Sequence, residues 1–147
     1  VTDLGVTDAN NMGAAMAPAA FSTIRTHLED TGTTPKDYDL IVTGDLGTIG
    51  VEALIQLCRG EGISIGGKLT DCGNLIFDPV KQDVHAGGSG CGCSAITLCA
   101  EFLPKLTSGK LKKILFCGTG ALLSPTSTQQ GLSIPGVCHA VCIVGGR

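Results

Sequence analysis

One stretch of eleven residues, 85–95, constrains this chain more than any other part of its sequence. It reads His-Ala-Gly-Gly-Ser-Gly-Cys-Gly-Cys-Ser-Ala and contains four glycines. Because glycine has no side chain, these positions let the backbone pass close to another backbone or to a ligand. Residues 95–106 follow with Ala95, Leu98, Cys99, Phe102 and Leu106 at helical spacing, which predicts that these side chains form the buried face of a helix. The stretch is therefore predicted to be a loop that leads into a buried helix.

Two interpretations of this loop stay open. Free N–H groups and the helix dipole at a helix N-terminus favour an anion, so the loop is a candidate anion-binding site. The alternative is a structural loop that packs the helix closely against a sheet, because glycine-rich loops precede many helices that bind nothing.

The composition restricts the class of protein. The chain has 147 residues, of which 43% are hydrophobic and 16% charged, as expected for one globular domain. The net charge is −3, and only Lys110, Lys112 and Lys113 lie close together in sequence. We therefore expect no nucleic-acid partner. No apolar run reaches membrane-spanning length and no secretory signal is visible, so a secreted protein is not expected.

The eight cysteines raise the question of disulfides or a metal site. No pair has the C-x-x-C spacing of a redox motif or zinc site, and most lie within apolar runs. A buried free cysteine behaves as a small apolar residue. The sequence therefore predicts reduced thiols in a reducing compartment, with no metal site and no cofactor.

The pattern along the chain alternates strands and helices and predicts an α/β fold. The predicted strands cover residues 1–6, 39–43, 63–67, 113–117 and 137–144, and the predicted helices cover residues 12–30, 49–59 and 95–106. Residues 68–84 and 124–135 are predicted to be irregular loops. No helix separates the last two strands, so this pair is expected to be antiparallel in an otherwise mostly parallel sheet of about five strands, with helices packed on it.

Asp45 is a further candidate functional residue. It comes directly after the predicted strand 39–43, and open α/β sheets bind ligands at the carboxyl ends of their strands. The alternative is that Asp45 caps the next helix or turn. Asp71, Asp78 and Asp83 are further carboxylates, but their spacing matches no calcium-binding loop.

Several motifs resemble a known family. The order of elements, together with Thr43-Gly44-Asp45 and Phe116-Cys-Gly-Thr-Gly120, is similar to the second half of the fold shared by thiolases and ketoacyl synthases. Residues 11–20, Asn-Met-Gly-Ala-Ala-Met-Ala-Pro-Ala-Ala, and residues 85–95 resemble the stage V sporulation protein AD family of spore-forming bacteria. This resemblance implies that residues 1–147 are the C-terminal thiolase-like domain of a longer protein, packed against a similar N-terminal half.

The resemblance also bears on catalysis. Thiolase-like condensing enzymes carry a His after the strand that corresponds to residues 39–43, and an Asn or His in the glycine-rich run. This chain has Gly44 and Asp45 at the first place, and residues 90–92, Gly-Cys-Gly, at the second. Claisen chemistry needs a base and oxyanion donors beside the thioester, so the usual acyl transfer is not expected.

What the family implies instead is a non-catalytic small-molecule-binding protein of sporulation, involved in the uptake of dipicolinic acid into the developing spore. The resemblance further implies a location peripheral to the spore inner membrane, on its cytoplasmic side. A loop of backbone N–H groups and hydroxyls, with a protonatable histidine, suits a flat anionic acid. The predicted ligand-binding residues are His85, Ser89, Gly90, Cys91 and Asp45.

The partners and the alternatives follow from the same resemblance. The predicted partners are dipicolinic acid, alone or as its calcium chelate, other membrane proteins of the same sporulation operon, the N-terminal half of the same protein and a second copy of the chain. One alternative is a divergent thiolase-like acyltransferase, in which Cys117, beside Gly118, resembles the acid/base cysteine of true thiolases. The other alternative is a scaffold for a spore membrane complex.

Overall fold

A computed structural model describes residues 1–146 of the chain and confirms the α/β class. Its elements, in chain order, are helix α1 (Met12–Thr31), a 3-10 turn (Pro35–Asp37), strand β1 (Leu40–Thr43), helix α2 (Gly47–Gly60), strand β2 (Leu69–Asp71), helix α3 (Cys72–Leu75), helix α4 (Cys93–Thr97), a π-helical turn (Leu98–Phe102), helix α5 (Leu103–Thr107), strand β3 (Lys113–Ala121), helix α6 (Pro125–Gln129) and strand β4 (Gly136–Val144). Within residues 1–146, no helix is both long and apolar enough to span a membrane.

The sheet has four strands in the order β2-β1-β3-β4. Strand β1 pairs in parallel with β2 and with β3, and β4 runs antiparallel to β3 as predicted. About five strands were expected, and the sheet has four because residues 1–6, which were predicted to be a strand, do not form one. They form one isolated bridge, from Thr2 to Gly136. The chain then turns, because Gly5 has φ +77° and donates its N–H to the Asp3 carboxylate, which prevents a longer strand.

The expected short strand at residues 63–67 is also absent, and β2 lies instead in the segment predicted to be an irregular loop. The N–H groups of Lys68 and Leu69 both donate to the carbonyl of Ile65, at 2.8 and 2.9 Å. This closes a turn over residues 65–69, so pairing with β1 begins only at Leu69, opposite Ile41.

Helices cover both faces of the sheet. Successive strand residues point to opposite faces, so Ile41 and Leu115 pack against α1 and α2, whereas Val42 and Phe116 pack against the α4–α5 helix. All four of these side chains are buried. Burial on both faces is the usual arrangement of parallel strands and explains why β1 is a continuous apolar run.

The predicted third helix is present, but its buried face differs from the prediction. Ala95 and Cys99 were expected to face inward and are exposed, whereas Cys93 and Thr97 are buried in their place. The π-helical turn at Leu98–Phe102 contains one extra residue, so the buried residues Thr97 and Phe102 are five positions apart instead of four. The buried face before this turn therefore differs from the face that regular helical spacing predicts.

Glycines let α1 and α2 cross at very short range. An ideal Cβ on Gly13 would lie 2.8 Å from the carbonyl oxygen of Leu46 and 3.0 Å from the nitrogen of Gly50. A Cβ on Gly50 would lie 3.0 Å from the Cα of Gly13. These neighbouring atoms belong to the backbone and cannot rotate away, so the crossing requires glycine on both helices.

Replacing Gly13 tests this crossing. We expect Gly13→Ala to lower the free energy of unfolding by about 1–3 kcal/mol, because the added methyl group forces the two helix backbones apart. Gly60→Ala, in α2, is the matched control, because a Cβ there meets no atom within 4 Å. Chemical denaturation of both variants is the measurement, and equal stability of the two would contradict the prediction.

The environments of the thiols differ between cysteines. All eight cysteines are free, and Cys91, Cys99 and Cys142 are exposed while the other five are buried. Burial raises the pKa of Cys58 to about 11 and that of Cys72 to about 12. The thiols of Cys58 and Cys72 are therefore protonated at neutral pH, and their burial keeps reagents away from them.

A thiol titration measures this difference. In the folded chain, a disulfide reagent at about pH 8 is expected to modify three thiols quickly, and all eight after denaturation. The fast sites can be assigned by peptide mass spectrometry. Fast modification of Cys58 or Cys72 in the native chain would contradict the burial of these two side chains.

Candidate ligand-binding site

The carboxyl ends of β1 and β3 lie side by side, because the two strands are parallel and Thr43 is in register with Cys117. Asp45 and Thr119, each two residues further along the chain, meet at this edge. The hydroxyl of Thr119 donates to Asp45 Oδ1 at 3.1 Å, and the backbone N–H of Asp45 donates to Thr119 Oγ1 at 3.1 Å. An ideal Cβ on Gly44 would lie 2.9 Å from Thr119 Oγ1 and 3.0 Å from the backbone nitrogen of Thr119, so this position requires glycine.

The glycine-rich loop supplies the other side of the site. The Ser89 hydroxyl donates to Asp45 Oδ2 at 2.9 Å, and the backbone N–H of Gly90 donates to the same oxygen at 3.4 Å. Two groups that were predicted to bind an external anion, the Ser89 hydroxyl and the Gly90 N–H, therefore bind the carboxylate of Asp45 instead. We call Asp45, Ser89, Gly90 and Thr119 the Asp45 cluster.

Close backbone contacts hold this loop in place. The N–H of Gly88 donates to the carbonyl of Gly73 at 2.7 Å. Gly87 has φ +121°, and a Cβ there would lie 2.9 Å from the same carbonyl oxygen. Side chains at these positions would push the loop away from α3 and therefore away from Asp45. The loop therefore packs closely, as the structural interpretation predicts, and the anion-binding interpretation stays a prediction.

A cavity of about 300 Å³ opens beside the Asp45 cluster, within the size range of small-molecule sites. Two methionines of α1 form one wall, the glycine-rich loop forms another, and the end of β3 forms the third. The lining residues are Met12, Met16, Asp45, Ser89, Gly90, Cys91, Ser94, Thr119, Gly120 and Ala121.

A larger groove, of about 520 Å³, lies between the ends of α1 and α2. The formal charges of its lining residues sum to zero, because two basic residues, Arg25 and Lys36, are matched by two acidic ones, Glu29 and Glu61. The groove is also open to solvent. The smaller cavity is the stronger candidate, because strand ends and a ring of converging polar groups meet there.

The structure brings four of the five predicted site residues together and places the fifth apart. Asp45, Ser89, Gly90 and Cys91 all line the 300 Å³ cavity. His85 lines a separate cavity of about 180 Å³. The His85 side chain is 88% exposed, and its Nδ1 lies 3.6 Å from a carboxylate oxygen of Asp83.

Six residues that line the cavity were not among the predicted site residues: Met12, Met16, Ser94, Thr119, Gly120 and Ala121. Thr119 lies two residues beyond the predicted end of its strand, so the strand-end rule that identified Asp45 applies to it as well. Met12 and Met16 are four residues apart and lie on the same face of α1. Nothing in the sequence shows that this face points toward the glycine-rich loop.

Asp71 is the other residue whose role the sequence did not reveal. It is only 2% exposed and accepts hydrogen bonds from the hydroxyl of Thr43 and from the N–H groups of Leu46, Gly47 and Asn74. Burial raises the pKa of this carboxyl, and the four hydrogen bonds oppose that rise. Asp71, rather than Asp45, therefore supplies the carboxylate that caps the start of α2.

The remaining candidate groups lie away from the cavity. Cys117 is buried and is not among the lining residues. Its hydrogen bond with Cys138, together with burial, raises its pKa well above the usual value of a thiol. Within residues 1–146, no three His, Cys, Asp or Glu side chains converge in a way that would hold a metal ion.

Comparisons with known proteins agree with the motifs. The family model of stage V sporulation protein AD matches residues 1–144. The stage V sporulation protein AD of Bacillus subtilis (strain 168) is 48% identical over 141 residues, which cover 96% of this chain and 41% of that protein. The chain thus spans about two fifths of the length of the curated relative it matches. With this match over nearly all of its length, the chain belongs to the stage V sporulation protein AD family.

Proposed function

We propose that this chain is part of a non-catalytic protein that binds dipicolinic acid, a pyridine dicarboxylate, during its uptake into the developing spore. Membership of a sporulation protein family supports the biological setting. The observation that carries the binding proposal is the 300 Å³ cavity at the strand ends, with the Asp45 cluster on its wall.

The walls of the cavity suit a small, flat, polar molecule. The thioethers of Met12 and Met16 offer a polarisable surface, and sulfur makes favourable contacts with aromatic rings. Ser94 also lines the cavity, and its hydroxyl is a group that can donate to a carboxylate. Gly120 and Ala121 leave room between these walls because their side chains are absent or small.

The charge of Asp45 determines the form in which the ligand binds. A free dianion in the cavity would be repelled by this carboxylate. Calcium prefers carboxylate and other oxygen ligands, so the calcium chelate of dipicolinic acid removes that repulsion and lets Asp45 contact the cation. We therefore propose that the calcium chelate is the preferred ligand.

The positions of the histidines support a non-catalytic role. No imidazole lines the cavity in the part of the chain that the structure describes. His27 Nε2 lies 2.7 Å from the hydroxyl of Tyr38, and His139 is exposed on β4. Acyl transfer by a thiolase-like mechanism would need a base beside the reacting thioester.

We further propose that residues 1–147 are the C-terminal thiolase-like domain of the complete protein, which acts at the cytoplasmic side of the spore inner membrane. Its partners in this proposal are the N-terminal half of the same protein, membrane proteins of the same operon and a second copy of the chain. The likeness of the motifs to the thiolase fold and the coverage of 41% of the relative support this organisation.

Calorimetric titration of the complete natural protein tests the binding proposal. Dipicolinate is expected to bind, and to bind more tightly when calcium is present. Asp45→Asn is expected to weaken binding of the calcium chelate by about 10–100-fold, because a charged contact becomes a neutral one. Asp83→Asn is the matched control, since this carboxylate is 88% exposed and outside the cavity. Affinity that is equal in the two variants would contradict the role of Asp45.

Two further arms of the titration separate the alternatives. His85→Ala tests whether the 180 Å³ cavity contributes: unchanged affinity places the ligand in the 300 Å³ cavity, and lost affinity places it beside His85. Absence of heat from the natural protein, with and without calcium, would reject the binding proposal. A covalent mass increase on incubation with an acyl-CoA would support the acyltransferase alternative instead.

A further inference from the structure

The Asp71 carboxylate binds the turn that carries Asp45 directly, and it also binds the first turn of α3, which in turn contacts the glycine-rich loop. We propose that Asp71 is a positioning residue of the ligand-binding site, which holds the turn that carries Asp45 in register with the loop that carries Ser89 and Gly90. The proposal rests on the function proposed for the cavity, and it names a residue that itself touches no ligand.

One oxygen of Asp71 fixes the chain on both sides of Asp45. The hydroxyl of Thr43 donates to Asp71 Oδ2 at 2.7 Å, and the N–H of Leu46 donates to the same oxygen at 2.9 Å. Thr43 precedes Asp45 by two residues and Leu46 follows it directly. The turn that directs the Asp45 side chain toward the cavity is therefore fixed at both ends by one buried acceptor.

The other oxygen leads to the glycine-rich loop. Asp71 Oδ1 accepts the N–H of Asn74 at 3.2 Å, which fixes the first turn of α3. The carbonyl of Gly73, in that turn, accepts the N–H of Gly88 at 2.7 Å. Ser89 and Gly90 follow Gly88 and donate to Asp45. The loop is thus held in place through α3.

A second route connects Asp71 to the same loop. Asp71 Oδ1 also accepts the N–H of Gly47 at 3.1 Å. The next residue, Thr48, donates its N–H to the carbonyl of Ala86 at 2.8 Å. Gly47 itself has φ +66°, and a Cβ there would lie 2.6 Å from that carbonyl oxygen. Both contacts to residues 86–88 therefore come from residues next to one that Asp71 binds: Gly73 precedes Asn74, and Thr48 follows Gly47.

The chemistry of this carboxylate makes it difficult to replace. Four donors converge on its two oxygens, and an ionised carboxylate is the side-chain group that only accepts. In Asp71→Asn, the NH₂ group would face two of these donors. Within residues 1–146, no Lys, Arg or His forms an ion pair with Asp71, so the N–H and O–H dipoles alone compensate its charge. The four donors and the buried carboxylate therefore stabilise one another.

A residue that only stabilised the fold would have a different signature. Loss of a core contact increases global unfolding and exposes all of the backbone amides together. Loss of a positioning contact changes the local geometry of the cluster, and a misplacement of about 1 Å is enough to weaken a site built from several groups. The test must therefore compare variants at equal global stability.

The experiment uses the complete natural protein and a stability-matched control. Asp71→Asn is compared with Phe102→Leu, which changes a buried side chain that packs on the sheet face opposite α1 and α2. Hydrogen–deuterium exchange is measured with urea adjusted so that both variants have the same free energy of unfolding. Binding of dipicolinate with calcium is measured on the same samples. Thr43→Val, which removes one of the four donors, is the second variant in case Asp71→Asn does not fold.

We expect the amides of residues 45–47 and 88–90 to exchange at least about tenfold faster in Asp71→Asn than in Phe102→Leu, and the affinity for the ligand to fall about tenfold or more. In Thr43→Val, we expect a smaller increase in the exchange rates of the same amides and a smaller loss of affinity, because only one of the four donors is removed. Equal exchange in matched variants overturns the proposal, and so does unchanged affinity in a protein that binds dipicolinate. If the natural protein binds no dipicolinate, the proposed function fails, and the exchange data alone decide whether Asp71 positions the cluster.

Discussion

Close contact between backbones, made possible by glycine, is the constraint on which this structure depends. Gly13 and Gly50 let α1 cross α2, and Gly73 lets α3 approach the loop at Gly88. With few aromatic residues, 3% of the sequence, the chain has little bulk with which to fill wide gaps between its elements. It stabilises its fold through short distances between backbones instead. The same short distances bring α1, the glycine-rich loop and the ends of β1 and β3 around one cavity.

The electrostatics of the strand ends give this cavity its chemical character. In many α/β proteins, a glycine-rich loop leaves its N–H groups free for an anionic ligand. Here Asp45 accepts from the loop and from β3, while the more deeply buried Asp71 fixes the turn beneath it. The edge therefore combines hydroxyl and amide groups with a net negative charge. This negative charge is the reason for proposing a ligand whose own charge is compensated by a cation.

The sequence predicted the elements with a strong periodic pattern and missed those that depend on tertiary contacts. Helices α1 and α2 and strands β1, β3 and β4 stand out as amphipathic or apolar segments. Strand β2 has only three residues, ends in a buried aspartate and has no apolar run, so its pattern resembles a loop. In the site, Asp45, Ser89, Gly90 and Cys91 were found by their position after strands or within the glycine-rich loop, whereas Met12 and Met16 were not.

The sequence by itself determined the α/β class, the family, the antiparallel end of the sheet and two of the segments around the cavity, the end of β1 and the glycine-rich loop, because local periodicity and unusual glycine motifs do not depend on distant contacts. Only the tertiary structure decided which side chains meet. It placed Thr119 against Asp45 across 74 residues of sequence and moved His85 to a neighbouring cavity. It also made Asp71 a buried acceptor for four donors. These outcomes depend on strand register and backbone direction, which are set by the packing of the whole domain.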